Sequence, residues 1–285
     1  MIDINSLLIV LIILSLLFLD LIFPKKDYVK INDKNYFEKF SQKYIITKLI
    51  NNNLRRRPLI EKNKILIISY DNRKDEKYIQ LHNHNIKEYI KKYGHEYVFY
   101  NKCNENNYWC KVYMVLDALE TNKYDYVIWM DSDTLIKDFE IDINDILNSY
   151  SSDILVGSDN NPKYDLINSG VFIIKNTEIG KQFLKDCINY IPEVCVKKNG
   201  SLKGEWAASC YEQGTMNILI ADKYSKYTTV LKNSVIFNYN VCSNEVFIMH
   251  LYASSSNYRK HCFMSGNPAL KIKAHENNLY PTNNK

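Results

Sequence analysis

Asp125-Tyr-Val-Ile-Trp-Met-Asp-Ser-Asp-Thr134 carries the most informative pattern in this chain of 285 residues. Tyr126 to Met130 is an uninterrupted apolar run, the signature of a strand buried on both faces of an α/β sheet. The run stops at Asp131, and ligands of open α/β sheets bind where strands end at their carboxyl side. Side chains two apart on an extended backbone point the same way, so Asp131 and Asp133 can converge on one cation. Two carboxylates completed by diphosphate oxygens and water suit Mg²⁺ or Mn²⁺. A bare Asp-x-Asp arises by chance about once in a chain of this length and composition. Its position at the end of an apolar strand is what gives it weight. The plain alternative is a pair of aspartates closing a turn. A haloacid-dehalogenase-type phosphatase would need Thr or Val at the fifth position of the motif, where Leu135 stands.

Outward from this stretch the pattern alternates. Lys64 to Tyr70 is another short apolar run. Ile79, Ile86, Tyr89, Ile90 and Tyr93 recur at helical spacing, with Gly94 as the stop. Tyr97 to Tyr100 predicts a strand, and Val112, Val115, Leu116 and Leu119 line one face of a helix. Strands are predicted at 153–157, 170–174 and 246–250, and helices at 177–190 and 212–221. This order implies a layered α/β fold.

Three further stretches carry polar groups suited to chemistry. His250 ends the apolar run Val246-Phe-Ile-Met-His. A lone histidine there is as readily a structural residue as a third ligand, although Mn²⁺ accepts imidazole. In Asn168-Ser-Gly-Val-Phe-Ile-Ile, Gly170 is read as opening a strand where backbone approaches a bound sugar and Asn168 bonds its hydroxyls. Tyr211-Glu-Gln-Gly214 begins a helix. Glu212 either complements the helix dipole or projects with Gln213 into a site.

Ser6 to Phe23 is eighteen residues with a single charge, Asp20, which predicts a short membrane-spanning helix. No basic n-region or small-x-small cleavage site marks it as a removable signal. A Lys- and Asn-rich segment follows, with Arg55 to Arg57 before Pro58. The formal charge of +5 is spread without a block of like charges, which gives nucleic-acid binding no support. Seven cysteines at irregular spacings contain no Cys-x-x-Cys pair, and the odd number leaves at least one thiol outside any intramolecular bridge.

These pieces, in this order, resemble the GT-A glycosyltransferases. Among them they look most like the retaining family of plant xyloglucan xylosyltransferases and fungal Golgi α-galactosyl- and α-mannosyltransferases. Trp109-Cys-Lys111 followed by Ile128-Trp-Met-Asp-Ser-Asp133 is similar to that family's W-x-K and W-W-M-D-S-D segments. Asn168 to Asn176, the Glu212-Gln213 pair and Val246 to His250 match three more, with Leu251 where an aromatic is usual. The resemblance implies a Rossmann-like mixed sheet flanked by helices. It also implies a nucleotide-sugar donor, a glycan or glycoconjugate acceptor, Mn²⁺ (or Mg²⁺) dependence and a product of retained configuration. By the same likeness, Asp131, Asp133 and His250 would hold the metal. Asp131, Ser132, Asp133, Lys111 and Arg259 would face the nucleotide. Asn168, Glu212 and Gln213 would surround the donor sugar. The family's lysine a few residues past the histidine is missing, since 251–258 contain no base, so either Arg259 or Lys260 reaches back or the contact is lost.

The domains expected are therefore an anchor at 1–24, a stem at 25–62, a catalytic domain at 63–267 and a polar tail at 268–285. Lys25, Lys26, Lys30 and Lys34 follow the apolar run and by the positive-inside rule favour a cytoplasmic domain. The resemblance favours a Golgi- or ER-type lumen, where Asn199-Gly-Ser201 would be a glycosylation acceptor. The alternative in another class is an inactive, membrane-tethered protein that keeps the fold to bind carbohydrate or to act as a scaffold.

Overall fold

The computed structural model describes residues 62–73, 76–159, 167–190, 195, 208–231 and 234–271. The apolar run at 6–23, nearly all of the stem, Asn199 and the tail past 271 lie outside these residues. Among the described residues, no helix is long and apolar enough to cross a membrane.

The centre is a six-stranded mixed sheet. Its strands are β1 (Ile65–Tyr70), β2 (Glu96–Tyr100), β3 (Tyr126–Met130), β5 (Ile154–Ser158), β6 (Ile167–Lys175) and β7 (Thr228–Leu231), in the order β2-β1-β3-β6-β5-β7. β1 runs parallel to β2 and β3, β6 is antiparallel to β3 and β5, and β7 is parallel to β5. The apolar runs read as buried strands because both faces are covered. Ile65, Ile67, Ile128, Met130, Val171 and Ile173 face one core. Leu66, Ile68, Val127, Trp129, Phe172 and Ile174 face the other. Each large side chain removed from water contributes about 1.5–3 kcal/mol, so a strand serving two cores cannot carry a polar stripe.

Helices α1 (Lys77–Tyr93), α3 (Ile143–Asn148) and α7 (Ser256–Met264) contribute to the first core. Helices α2 (Cys110–Glu120), α4 (Glu178–Asn189) and α5 (Glu212–Leu219) contribute to the second. α1 stops at Gly94, whose φ of 71° is left-handed and whose N–H returns to Ile90 O. α4 starts at Thr177, whose side chain accepts the Gly180 N–H. A four-residue helix, α6 (Ser234–Phe237), precedes β8 (Ile248–His250).

Several boundaries differ from the sequence reading. Gly170 lies within β6, not at its start, because Ile167 and Asn168 already pair with Ser158 and Gly157. The register then jumps, with Val156 opposite Phe172, so 169–171 separate from β5. The helix at 212 leaves α geometry at Leu219 and continues as a π-helical stretch, Ile220–Tyr224. The start of the expected tail is a helical turn at 268–271 with Ala269 fully buried. A strand the sequence did not announce, β4 (Thr134–Ile136), pairs antiparallel with β8, with Thr134 opposite His250.

Three disulfides join Cys103–Cys110, Cys195–Cys210 and Cys242–Cys262, leaving Cys187 as a buried thiol. The first closes the loop holding Asn107 and Tyr108. The second leads into α5, and the third ties the segment before β8 to α7.

Candidate active site

The Asp-x-Asp turn sits where β3 leaves the sheet. Asp131 N–H donates to Gly170 O (2.8 Å), and Asp131 O accepts from Thr134 N (3.0 Å) and Thr134 Oγ1 (2.7 Å). The chain turns tightly into β4, whose pairing with β8 delivers His250 to the two aspartates. His250 Nε2 lies 3.2 Å from Asp133 Oδ1 and 3.8 Å from Asp131 Oδ2. One ligand atom from each of the three residues lies within 4.8 Å of the others. Two carboxylate oxygens and one imidazole nitrogen at this spacing suit a borderline divalent cation such as Mn²⁺.

Gly170 also makes room for a side chain. A Cβ placed there would lie 1.8 Å from His250 Cε1, so the imidazole itself occupies the space above the glycine. Buried His82 braces the turn from behind. Its ring nitrogens meet Thr134 O (2.8 Å) and Ser69 Oγ (2.9 Å), and burial lowers its pKa, keeping it neutral.

Three cations surround the turn. Lys111 Nζ is buried between Asp131 Oδ1 (3.1 Å) and Glu212 Oε1 (3.2 Å), and also donates to Ser169 O (3.3 Å). Burial disfavours its charge, but Asp131 and Glu212 outweigh burial and raise its pKa. Arg259 also reaches the turn. Ser255 caps α7, Arg259 Nε donates to Leu251 O (3.0 Å), and the guanidinium lies over the Tyr78 ring and meets Asp133 Oδ2 (2.6 Å). Burial pushes the Asp133 carboxyl up, but His250, Arg259 and Lys111 together hold it well below the usual carboxylate range. Lys260 is exposed.

The third cation, Arg73, was not anticipated from the sequence. It grips Asp71 through two hydrogen bonds (2.9 and 2.7 Å), and Asp71 also accepts from Ser132 Oγ. Burial opposes ionisation of Asp71, yet Arg73 and Ser132 leave its pKa lowered. Both residues follow β1, so the rule that sites gather at carboxyl ends of parallel strands was the signal available for them. A cleft of about 330 Å³ opens between the ends of β1 and β3, walled by Tyr70, Arg73, Asn107, Tyr108, Lys111 and the turn. Its volume is within the range of small-ligand sites.

On the far side of Lys111, α5 meets β6. Gln213 Oε1 accepts from Ser169 N (3.0 Å), and Glu212 Oε1 accepts from Ser169 Oγ (3.0 Å). Their other atoms, Glu212 Oε2 and Gln213 Nε2, are buried with no hydrogen-bond partner among the described residues. A buried acceptor and a buried donor, each left unpaired, are incomplete without a polar ligand or water. Asn168 Oδ1 accepts from Gly170 N–H (2.9 Å), so it also shapes the bend beside the turn.

Comparisons with known proteins bear on the family and the fold. The family described as nucleotide-diphospho-sugar transferase matches residues 61–264. Among solved structures, a glycosyltransferase involved in glycosylation of the major capsid of PBCV-1 is similar, with a TM-score of 0.56 at 15% identity. The match covers 70% of this chain and 98% of that one. The glycosyltransferase GlyE of Streptococcus pneumoniae TIGR4 matches at a TM-score of 0.48 and 11% identity, covering 78% and 66%. The first supports the fold; the second is too distant to carry an argument. No curated protein matches the chain.

Proposed function

This chain belongs to the nucleotide-diphospho-sugar transferase family, and from that premise we propose that it moves a sugar from a nucleoside-diphosphate donor to a glycan or glycoconjugate acceptor. The observation that carries the proposal is the convergence of Asp131, Asp133 and His250 beside a cleft lined by cations. A divalent ion held by those three residues would supply Lewis-acid stabilisation of the charge on a departing diphosphate.

The chain's own groups have distinct tasks. Lys111 and Arg259 are fixed positive charges at the turn and favour diphosphate oxygens over neutral leaving groups. Glu212 Oε2 and Gln213 Nε2 offer one acceptor and one donor to the hydroxyls of the donor sugar, which positions its anomeric carbon. Gln213 carries no anionic oxygen, and Lys111 holds the Glu212 carboxylate. A covalent sugar–enzyme intermediate on either is therefore disfavoured relative to attack from the face the diphosphate leaves. Attack from that face retains configuration, as the double displacement it replaces would; retention itself is carried over from the family resemblance.

The three disulfides support an oxidising compartment for this domain, held at a membrane by the apolar run at 6–23 through the stem. The test of function is donor hydrolysis and transfer screened across UDP- and GDP-sugars with Mn²⁺. Asp133→Ala should abolish turnover while circular dichroism stays unchanged. Full activity in EDTA would remove the metal from the proposal, and a β-linked product from an α-configured donor would remove retention.

A further inference from the structure

Behind His250 stands a residue that no motif marks. Asn238 follows α6, is fully buried, and places Oδ1 3.1 Å from His250 Nδ1. We propose that Asn238 is a positioning residue that fixes the tautomer and ring plane of His250, so that Nε2 presents its lone pair between Asp131 and Asp133. This rests on the metal-site reading above.

An amide oxygen only accepts, so the ring nitrogen facing it must carry the proton. With the proton on Nδ1, the neutral ring offers Nε2 as its ligand atom, and Nε2 is the atom found 3.2 Å from Asp133 and 3.8 Å from Asp131. Ligating histidines commonly depend on such an outer partner for both orientation and basicity.

The backbone enforces the pairing. His250 N–H donates to Tyr239 O (2.8 Å), and Tyr239 bridges Met249, so the segment carrying Asn238 is bonded to the strand carrying His250. Two glycines make the room. A Cβ at Gly170 would lie 1.8 Å from His250 Cε1, and a Cβ at Gly157 would lie 2.1 Å from Asn238 Nδ2. Gly157 and Gly170 flank the register jump between β5 and β6, so the sheet itself opens where this side-chain pair inserts.

The test is Mn²⁺ binding to the full chain without donor, followed by the electron paramagnetic resonance of free Mn²⁺. Asn238→Leu keeps the volume and removes the acceptor, and should weaken Mn²⁺ binding ten- to a hundredfold, the usual effect of losing an outer-shell partner. Asn238→Asp keeps an acceptor and should stay within about threefold of wild type, against the same tenfold floor. In a His250→Ala background, Asn238→Leu should cause no further loss, because the two act as one unit. Additive losses, or an Asn238→Leu protein that binds Mn²⁺ like wild type, would overturn the inference and leave the metal site standing. Wild-type protein that binds no Mn²⁺ would overturn both. Should Asn238→Leu not fold, ¹⁵N NMR of the neutral His250 ring in wild type decides: Nδ1–H supports the assignment and Nε2–H refutes it.

Discussion

Replacing Gly170 with alanine tests whether the site depends on where His250 sits. The added methyl would fall 1.8 Å from Cε1, 2.5 Å from Nδ1 and 2.6 Å from Nε2 of the imidazole. Carbon atoms rest about 3.5–4.0 Å apart, so the ring must retreat by roughly 1.7–2.2 Å. The backbone cannot easily supply that movement. β8 is paired with β4, and His250 N–H is bonded to Tyr239 O. The side chain must turn instead, carrying Nε2 away from Asp133. Overpacking of this kind costs about 1–3 kcal/mol, which for a domain of this size is roughly 2–12 °C in melting temperature. Losing the imidazole as a ligand should weaken Mn²⁺ binding at least about tenfold, or 1.4 kcal/mol. Mn²⁺ titration and thermal unfolding measure the two effects separately. In the Gly170→Ala/His250→Ala double variant the methyl has room, so stability should recover while Mn²⁺ affinity should not. Gly170→Ala protein that melts with wild type and binds Mn²⁺ as tightly would refute the packing argument.

Three other outcomes follow from single contacts. Lys111→Met strands the buried carboxylate of Glu212 beside the half-buried one of Asp131 and should cost about 3–5 kcal/mol in denaturant unfolding, with Glu212→Gln in the same chain recovering part of it. Arg259→Ala should raise the donor KM or lower kcat about ten- to a hundredfold, the worth of one charge-assisted bond of about 1.5–3 kcal/mol, whereas Lys260→Ala should be silent. Lys137, whose Nζ donates to Ser265 O (2.8 Å), has its pKa lowered to about 8 by burial and by nearby Lys271. Between that value and the ordinary 10.5 the unfolded chain binds the extra proton, so stability should rise with pH across this window more in wild type than in Lys137→Met. Thermal melts of the two proteins at pH 7.5 and 9.5 check the sign.

Local pattern made much of this protein readable from its residues. The apolar runs of β1, β3 and β6 announced strands covered on both faces, because hydrophobic burial leaves an unbroken stripe in the chain. The periodicity of α1 and α2, the stop at Gly94 and the thiol left over from seven cysteines were legible for similarly local reasons. Asp131 and Asp133 stood out because an aspartate pair ends an apolar strand. What the sequence could not decide were the meetings of segments far apart in the chain. β4 is three residues long, too short to show any period, yet its pairing with β8 turns His250 from a lone histidine on a strand into a neighbour of both aspartates. The Asp71–Arg73 pair, His82 behind the turn and Asn238 behind His250 gave no periodic signal, because a buried polar residue is defined by its partner, not by its spacing. Gly170 shows the difference at a single position. The sequence marked it as a place of close approach, and only the packed sheet revealed that the approaching group is the imidazole of His250, since steric exclusion acts between atoms that the fold alone brings together.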